Sequence, residues 1–314
     1  MPLPLRWRWK IDRLRESFSS VFGSREKQRR PRLCPACGTL VGSTANRCHQ
    51  CGASLTFSMA AMSKSLGKYM PANAPVTYLI LFACCILYGV SLLLTIHTGG
   101  SVAPQGGGIL DTLMSIGGIS PQVEIVLGAS LPLQYDMVNP WRFVTANFLH
   151  WSLLHIAFNM WFLVYVGPLV EEIYGSARYL FVFVVTGIGG YVLSAFFGHL
   201  SAGASAGLVG LVGVLLAITT GRKSAGMQML RSNVLSWIVF LVVMALWPGM
   251  RVDNLAHLGG GATGFALGKM MLDREPHTAE ERKRAYTLGW GTAGLVLVSL
   301  GFMIFESLRP TIFR

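Results

Sequence analysis

The chain has 314 residues, of which 52% are hydrophobic and only 13% charged, and its mean hydropathy is +0.51. A soluble globular protein carries about 25% charged residues, so this composition argues against that class and favours a protein with several membrane spans. The formal net charge is +12, and residues 1–75 supply +10 of it through 13 Lys and Arg against three acids. Before a first span, such a stretch sets orientation and attracts anionic lipid, with nucleic acid as the weaker alternative.

The first 30 residues form a basic tail without the continuous apolar run of a secretory signal. We therefore expect a mature N-terminus that stays in the cytoplasm. Apolar residues recur in this tail at helical spacing, which favours an interfacial helix, and a disordered basic tail is the alternative. The apolar positions are Trp7, Ile11, Leu14, Phe18 and Val21.

Two C-x-x-C pairs follow, separated by ten residues. Each pair can place two thiolates on one ion, and two pairs complete the tetrahedral sulfur shell that suits structural zinc. Disulfides are the alternative, but a cytoplasmic location keeps thiols reduced. We predict a compact zinc ribbon that serves as a docking or regulatory module for a cytoplasmic partner. Its ligands are Cys34, Cys37, Cys48 and Cys51.

Seven apolar segments then follow, each long enough or nearly long enough to cross a membrane at about 1.5 Å per residue. An N-terminus inside places every loop with several basic residues inside as well, which satisfies the positive-inside rule. The fourth segment is the shortest and richest in glycine, so we expect it to begin below the membrane surface. The segments are 76–96, 152–170, 177–197, 204–220, 233–247, 254–272 and 288–306.

Unusual polar residues occur at the predicted outer ends of spans two, four and six. Polar groups at membrane depth are costly unless they are paired, so each needs a reason. Span four opens with a G-x-S-x-G motif around Ser205, and span six opens with Asn254 and His257. Alone, the serine motif is more often helix packing, and the glycines that follow His257 are foremost a close-approach face. These flanking glycines are Gly203, Gly207, Gly260, Gly264 and Gly268.

The combination of these residues predicts acyl-transfer chemistry. A serine needs a base at neutral pH, and a neutral histidine such as His257 is the usual one. The Ser205 N–H, the Asn159 amide and the His155 imidazole can donate to a developing oxyanion. No predicted span has an aspartate in its interior, so we predict a Ser–His dyad without a third carboxylate.

In this order and spacing, the motifs resemble the rhomboid family of intramembrane serine proteases. They are H-x-x-x-N from His155 to Asn159, G-x-S-x-G around Ser205, and A-H-x-x-G-x-x-x-G from Ala256. The resemblance covers about residues 75–272. Further matches are at positions that the family uses to brace its first loop and second span, namely Trp141, Arg142, Glu171 and Gly175.

The resemblance implies Ser205 as the nucleophile and His257 as the general base, acting without a cofactor. It also implies a water-filled cavity that opens outward above Ser205, and a seventh span that some members carry. Two positions depart from the pattern: Ala206 replaces a common glycine, and Val209 replaces an aromatic that often stacks on the catalytic histidine. The oxyanion-side cluster would be His150, His155 and Asn159.

We therefore expect an all-α polytopic protein of the cell membrane that cleaves transmembrane proteins near the outer face. The alternative is a catalytically silent relative that binds and retains or delivers membrane helices. A transporter is disfavoured, because the polar residues lie at one end of their spans. The expected organisation is a basic tail over 1–30, a zinc ribbon over 31–55, a linker over 56–74, a six-span protease core over 75–272, a charged cytoplasmic linker over 273–287, a seventh span over 288–307 and a tail over 308–314.

Overall fold

The computed structural model describes residues 31–34, 39–42, 45–50, 74–100, 112, 115–246, 252–271 and 274–308. This part of the chain is mostly helical, with one two-stranded antiparallel sheet near the N-terminus. The strands are β1 (Arg32–Leu33) and β2 (Leu40–Val41). The helices are α1 (Pro75–His97), α2 (Pro121–Val126), α3 (Leu133–Asp136), α4 (Arg142–Thr145), α5 (Leu153–Tyr174), α6 (Ser176–Phe196), α7 (Ser205–Thr219), α8 (Ala225–Leu246), α9 (Asn254–Met270) and α10 (Ala279–Ser307), with a 3₁₀ turn over Ala146–Phe148 after α4.

Helices occupy all seven predicted span positions, and five of them are long and apolar enough to cross a membrane: α1, α5, α6, α8 and α10. Helix α7 is apolar but has only 15 residues, which gives about 22 Å at the usual rise against a hydrocarbon core of about 30 Å. The sequence predicted this short fourth segment. The described helices therefore support a multi-pass membrane protein, while the count of seven spans stays a prediction.

Two helices begin earlier than the apolar pattern indicated. Helix α8 begins at Ala225 instead of 233, and α10 begins at Ala279 instead of 288, so the predicted charged linker is partly helical. Thr278 explains the second difference, because it forms a capping box with Glu281. Its hydroxyl accepts from the Glu281 N–H, and the Glu281 carboxylate accepts from the Thr278 N–H. Hydropathy marks the apolar part of a helix and misses a polar first turn that is well capped.

Helix α7 lies at the centre of the core, between α6 and α9. Its contact with α9 is the most extensive between any two described elements. Glycines make this contact possible: a Cβ atom at Gly260 would lie 2.1 Å from the Ala206 carbonyl oxygen, and one at Gly264 would lie 2.0 Å from that of Gly210. Small residues let helix backbones approach in this way inside membranes. We call this contact the α7–α9 seam.

Glu171, near the end of α5, fixes the start of α1. Its carboxylate is almost completely buried and accepts hydrogen bonds from the N–H groups of Val76 and Thr77 at 2.9 and 2.8 Å. The hydroxyls of Thr77 and Ser176 donate to the same carboxylate at 2.8 and 2.6 Å. The first N–H groups of a helix have no partner within the helix. Glu171 therefore acts as a remote cap for α1 and joins it to the α5–α6 turn at Gly175, whose φ is +77°.

Helix α10 packs on α6 and, at its other end, on α4 in the first loop. Near its start, Tyr286 packs against a small buried cluster formed by Cys34, Val41 and Cys48 of the ribbon segment. The buried residues of α10 recur every three to seven positions and so form one face of this helix. They are Ala285, Gly289, Thr292, Ser299 and Met303.

Candidate active site

Ser205 is the first residue of α7 and is half-buried. The preceding residue but one, Gly203, has a φ of +145°, a conformation that side chains other than glycine rarely adopt. A Cβ atom at Gly203 would lie 2.8 Å from the His155 ring and 3.6 Å from Ser205 Oγ. The glycine therefore leaves room for the His155 imidazole beside the serine segment.

His257 lies in the first turn of α9, three residues before the seam glycine Gly260. Because Gly260 contacts Ala206, the residue after Ser205, the first turns of α7 and α9 lie side by side at the same level. The Gly264–Gly210 contact continues in the same direction, so the two helices run parallel. The α7–α9 seam thus places the predicted nucleophile and the predicted base in neighbouring helical turns.

His150 and His155, which we call the histidine cluster, contact the serine segment at Ala204 and Gly203. The rings of His150 and His155 are 5.2 Å apart, and His150 Nε2 accepts a hydrogen bond from Ala204 N–H at 3.3 Å. His150 is completely buried, and this burial, together with nearby His155, holds its pKa well below the usual range. A neutral His150 is the form that can accept this bond.

Asn159 lies one turn further along α5. Its amide donates to the His155 carbonyl at 2.8 Å, which leaves one amide hydrogen, while its Oδ1 is buried with no hydrogen-bond partner among the described residues. His155 Nδ1 accepts from Trp151 N–H at 3.4 Å. The bond from Trp151 fixes the ring of His155 beside Gly203, and the bond from Asn159 joins its amide to the His155 backbone.

Trp141 and Arg142 brace the first loop. The Arg142 guanidinium donates to the carbonyl oxygens of Ile125 and Ala129 at 2.7 and 3.1 Å. It also lies 4.8 Å from the Trp141 ring centre, a cation–π distance. The same ring covers Gly128, where a Cβ atom would lie 2.2 Å from it. These contacts join Trp141 and Arg142 to the Ile125–Ala129 part of the first loop, and the bracing role that the resemblance implies for both residues stays a prediction.

Two residues of this region were not singled out from the sequence. The Tyr191 hydroxyl, fully buried in α6, hydrogen-bonds the Gly203 carbonyl and lies 3.2 Å from that of Ala146. A tyrosine inside an apolar segment carries no sequence signal beyond packing. Asp253 caps α9 one turn before His257. Asp253 lies just before the predicted sixth span and so outside the span interiors on which the dyad prediction rested, although an aspartate before an apolar helix is itself a cap signal.

Two of the four predicted zinc ligands, Cys34 and Cys48, are described and buried, whereas Cys37 and Cys51 lie outside the described residues. Among the residues that the structure covers, no group of three or more metal-ligating side chains occurs. Half of the predicted shell lies outside the described residues. The zinc ribbon therefore stays a prediction.

Residues 138–274 match one family model, described as the Rhomboid domain. RHOMBOID-like protein 2 of Arabidopsis thaliana is 35% identical over 151 residues, which are 47% of this chain and 47% of that protein. Rhomboid protease GluP of Bacillus subtilis is 33% identical over 159 residues, covering 49% of this chain and 31% of that protein. Rhomboid-like protease 2 of Toxoplasma gondii is 33% identical over 154 residues, which are 48% of this chain and 54% of that protein.

The chain thus spans about half or less of the length of these curated relatives. The matched region runs from the end of the first loop to the end of α9 and contains Ser205, His257 and the histidine cluster. The domain match and the relatives together support the rhomboid family for this part of the chain.

Proposed function

We propose that this chain is an intramembrane serine endopeptidase with Ser205 as nucleophile and His257 as general base. The observation that carries the proposal is the α7–α9 seam, which brings the first turns of the two helices together beside the His150–His155 pair. Two relatives whose names include "protease" support the same class of activity. Peptide-bond hydrolysis by such a dyad requires no cofactor.

In the proposed reaction, His257 takes the proton from Ser205 Oγ as the oxygen attacks the substrate carbonyl carbon. The resulting oxyanion accepts hydrogen bonds from the Ser205 N–H at the start of α7, from His155 and from the remaining amide hydrogen of Asn159. His257 then gives its proton to the leaving amine. Water, activated by the same imidazole, hydrolyses the acyl-enzyme and restores Ser205.

The proposed substrates are membrane-anchored proteins whose transmembrane helix unwinds near the outer face. A helical backbone keeps its carbonyls in internal hydrogen bonds, so a scissile bond becomes accessible only where the helix opens. Ser205 lies at the N-terminal end of α7, the end assigned to the outer face if the N-terminus is cytoplasmic. That orientation, and a cell-membrane location with lipid as a surface partner, follow from the charge distribution and belong to the proposal.

The deciding experiment measures cleavage of a transmembrane substrate with a destabilised helix by the purified chain in liposomes. Ser205→Ala and His257→Ala are expected to abolish cleavage. Ser236→Ala and His97→Ala, two exposed residues away from the site, serve as matched controls and are expected to retain it. Retained cleavage in Ser205→Ala would refute the dyad.

The alternative is a catalytically silent protein that binds membrane helices. A fluorophosphonate probe separates the two, because only an activated serine reacts with it. Labelling that is lost in Ser205→Ala favours the protease. Substrate capture without labelling favours the silent binder.

We further propose that residues 31–55 hold a structural Zn²⁺ on Cys34, Cys37, Cys48 and Cys51. The support is the spacing of the two C-x-x-C pairs and the burial of Cys34 and Cys48 together in one cluster. A closed shell of four thiolates stabilises a fold and leaves no open position for chemistry. The proposed role is a cytoplasmic docking or regulatory module.

A further inference from the structure

The carboxylate of Asp253 binds donors from two helices. Oδ1 accepts from the N–H groups of Leu255 and Ala256 at 3.1 and 3.0 Å, which caps α9. Oδ2 accepts from the hydroxyl of Ser194, which is fully buried in α6. The backbone of Asp253 also takes part, since its carbonyl accepts from His257 N–H at 3.1 Å. Asp253 therefore joins the helix of the predicted base to α6.

The same carboxylate interacts with the turn that leads to the nucleophile. His199 Nδ1 lies 3.5 Å from Oδ1, and the side chain of Ser201 lies close enough to help lower the pKa of Asp253. Ser201 and Ser130 exchange two backbone hydrogen bonds, each 2.9 Å long, which ties this turn to the first loop. Three residues separate Ser201 from Ser205. Asp253 is thus the point at which α6, α9 and the serine segment are joined.

We propose that Asp253 is a positioning residue that holds the His257 helix in register with the Ser205 segment and supplies a fixed negative charge to the site. This inference rests on the proposed protease function. We call the group formed by Asp253, Ser194 and Ser201 the Asp253 junction. It differs from the third member of a catalytic triad, because in the described contacts its acceptor sites are taken by Leu255, Ala256 and Ser194 and no hydrogen bond joins it to the imidazole.

Electrostatics supports this role. Burial raises the pKa of Asp253, but the hydrogen bonds from Ser194 and Ala256, together with nearby Ser201 and His199, outweigh it and leave the pKa below the usual range. The carboxylate is therefore ionised at neutral pH. It lies one turn before His257, which becomes a cation as the reaction proceeds. A negative charge at this distance in a partly buried site stabilises that cation relative to the neutral ring.

The decisive variant is Asp253→Asn, because asparagine caps helices about as well as aspartate but carries no charge. We expect kcat to fall roughly 10- to 100-fold with KM within about twofold, as for a lost interaction made only in the transition state. The rate of fluorophosphonate labelling should fall in parallel, and the unfolding temperature should stay close to that of the unmodified chain. Glu172→Gln, an exposed carboxylate on α5, is the matched control and is expected to change none of these.

Two further variants test the Asp253 junction, and one of them, Ser194→Ala, keeps the charge. Ser194→Ala removes the α6 donor and leaves the carboxylate, so we expect a smaller fall in kcat. Because Ser194 acts through Asp253, the double variant should be no slower than Asp253→Asn alone. Asp253→Ser keeps a helix cap without a charge; full activity in this variant would overturn the proposal, as would an unchanged kcat in Asp253→Asn.

A readout without catalysis separates this inference from the protease proposal. In Asp253→Ser, amide hydrogen exchange over residues 197–205 is expected to quicken, because the donors of this turn lose their shared acceptor. Glu172→Gln should leave exchange unchanged. If exchange quickens in Asp253→Ser while the unmodified chain neither cleaves nor is labelled, the protease proposal is refuted and the Asp253 junction is supported. If exchange is unchanged in Asp253→Ser and the unmodified chain is active, the Asp253 junction is refuted and the protease proposal is supported.

Discussion

The Cα of Gly260 stands directly against the carbonyl oxygen of Ala206, so close that a Cβ atom would lie 2.1 Å from it. No real Cβ contact is that short, and the obstacle is backbone, which cannot rotate away. The separation of α7, which carries the predicted nucleophile, from α9, which carries the predicted base, is therefore set by contact between main chains.

This relationship predicts that Gly260→Ala separates α7 from α9. We expect at least a 100-fold loss of cleavage, because misplacement of a catalytic group by about 1 Å costs about 10²-fold. Destabilisation by about 1–3 kcal/mol, as for an overpacked core, should accompany it. Gly89→Ala is the control, since Gly89 lies in α1 with nothing within 4 Å of its Cβ position. Full activity of Gly260→Ala would contradict the seam as the determinant of spacing.

A second prediction concerns the remote cap at Glu171. Glu171→Ala leaves the Val76 and Thr77 N–H groups and two hydroxyls without their shared acceptor. Removal of one partner from buried hydrogen bonds to a charged group costs about 1.5–3 kcal/mol, so we expect a clearly lower unfolding temperature in detergent. Glu172→Gln, one position later and exposed, should unfold like the unmodified chain.

A third prediction follows from Glu124 in the first loop. Its side chain is fully buried, neither carboxyl oxygen has a hydrogen-bond partner among the described residues, and burial raises its pKa to about 8. A carboxyl whose folded-state pKa is raised stabilises the fold below its unfolded-state pKa and loses that contribution as pH rises through the folded-state value. Stability should therefore fall from pH 5 to pH 8.

Glu124→Gln tests this directly, because glutamine keeps the shape and cannot ionise. From pH 5 to pH 8, the free energy of unfolding of the unmodified chain should fall by on the order of 3 kcal/mol more than that of Glu124→Gln. Above pH 8 the variant should be more stable than the unmodified chain. An identical pH dependence in both proteins would mean that Glu124 does not titrate in this range.

The zinc prediction is tested by metal analysis of the full chain purified in reducing buffer at neutral pH. We expect one Zn²⁺ per chain, lost in Cys48→Ser and retained in Cys85→Ser, since Cys85 is an exposed cysteine of α1. A chain that binds no zinc, or that keeps it in Cys48→Ser, would remove the ribbon from the metal-binding class.

Much of the helical layout followed from hydropathy, because an apolar run of membrane length has few other stable forms. The first turn of α10 was missed, since its stability comes from the Thr278–Glu281 capping box and not from apolar residues. The positions of Ser205 and His257 at helix starts followed from the motifs. Their support by Tyr191 and Asp253 did not, because a hydrogen bond across 12 or 59 residues leaves no local periodicity.

Helix α10 links two regions on opposite sides of the proposed bilayer. Tyr286 near its start packs on the Cys34–Val41–Cys48 cluster, and 20 residues later Glu306 acts electrostatically on Arg142, the residue that braces the first loop. At the usual rise this distance is about 30 Å. A continuous helix does not change length along its axis. The predicted ribbon and the first loop therefore contact the two ends of one rigid helix. If the N-terminus is cytoplasmic, as we propose, a tilt imposed at the cytoplasmic end would displace the far end and with it the first loop, which is bonded to the segment before the predicted nucleophile Ser205.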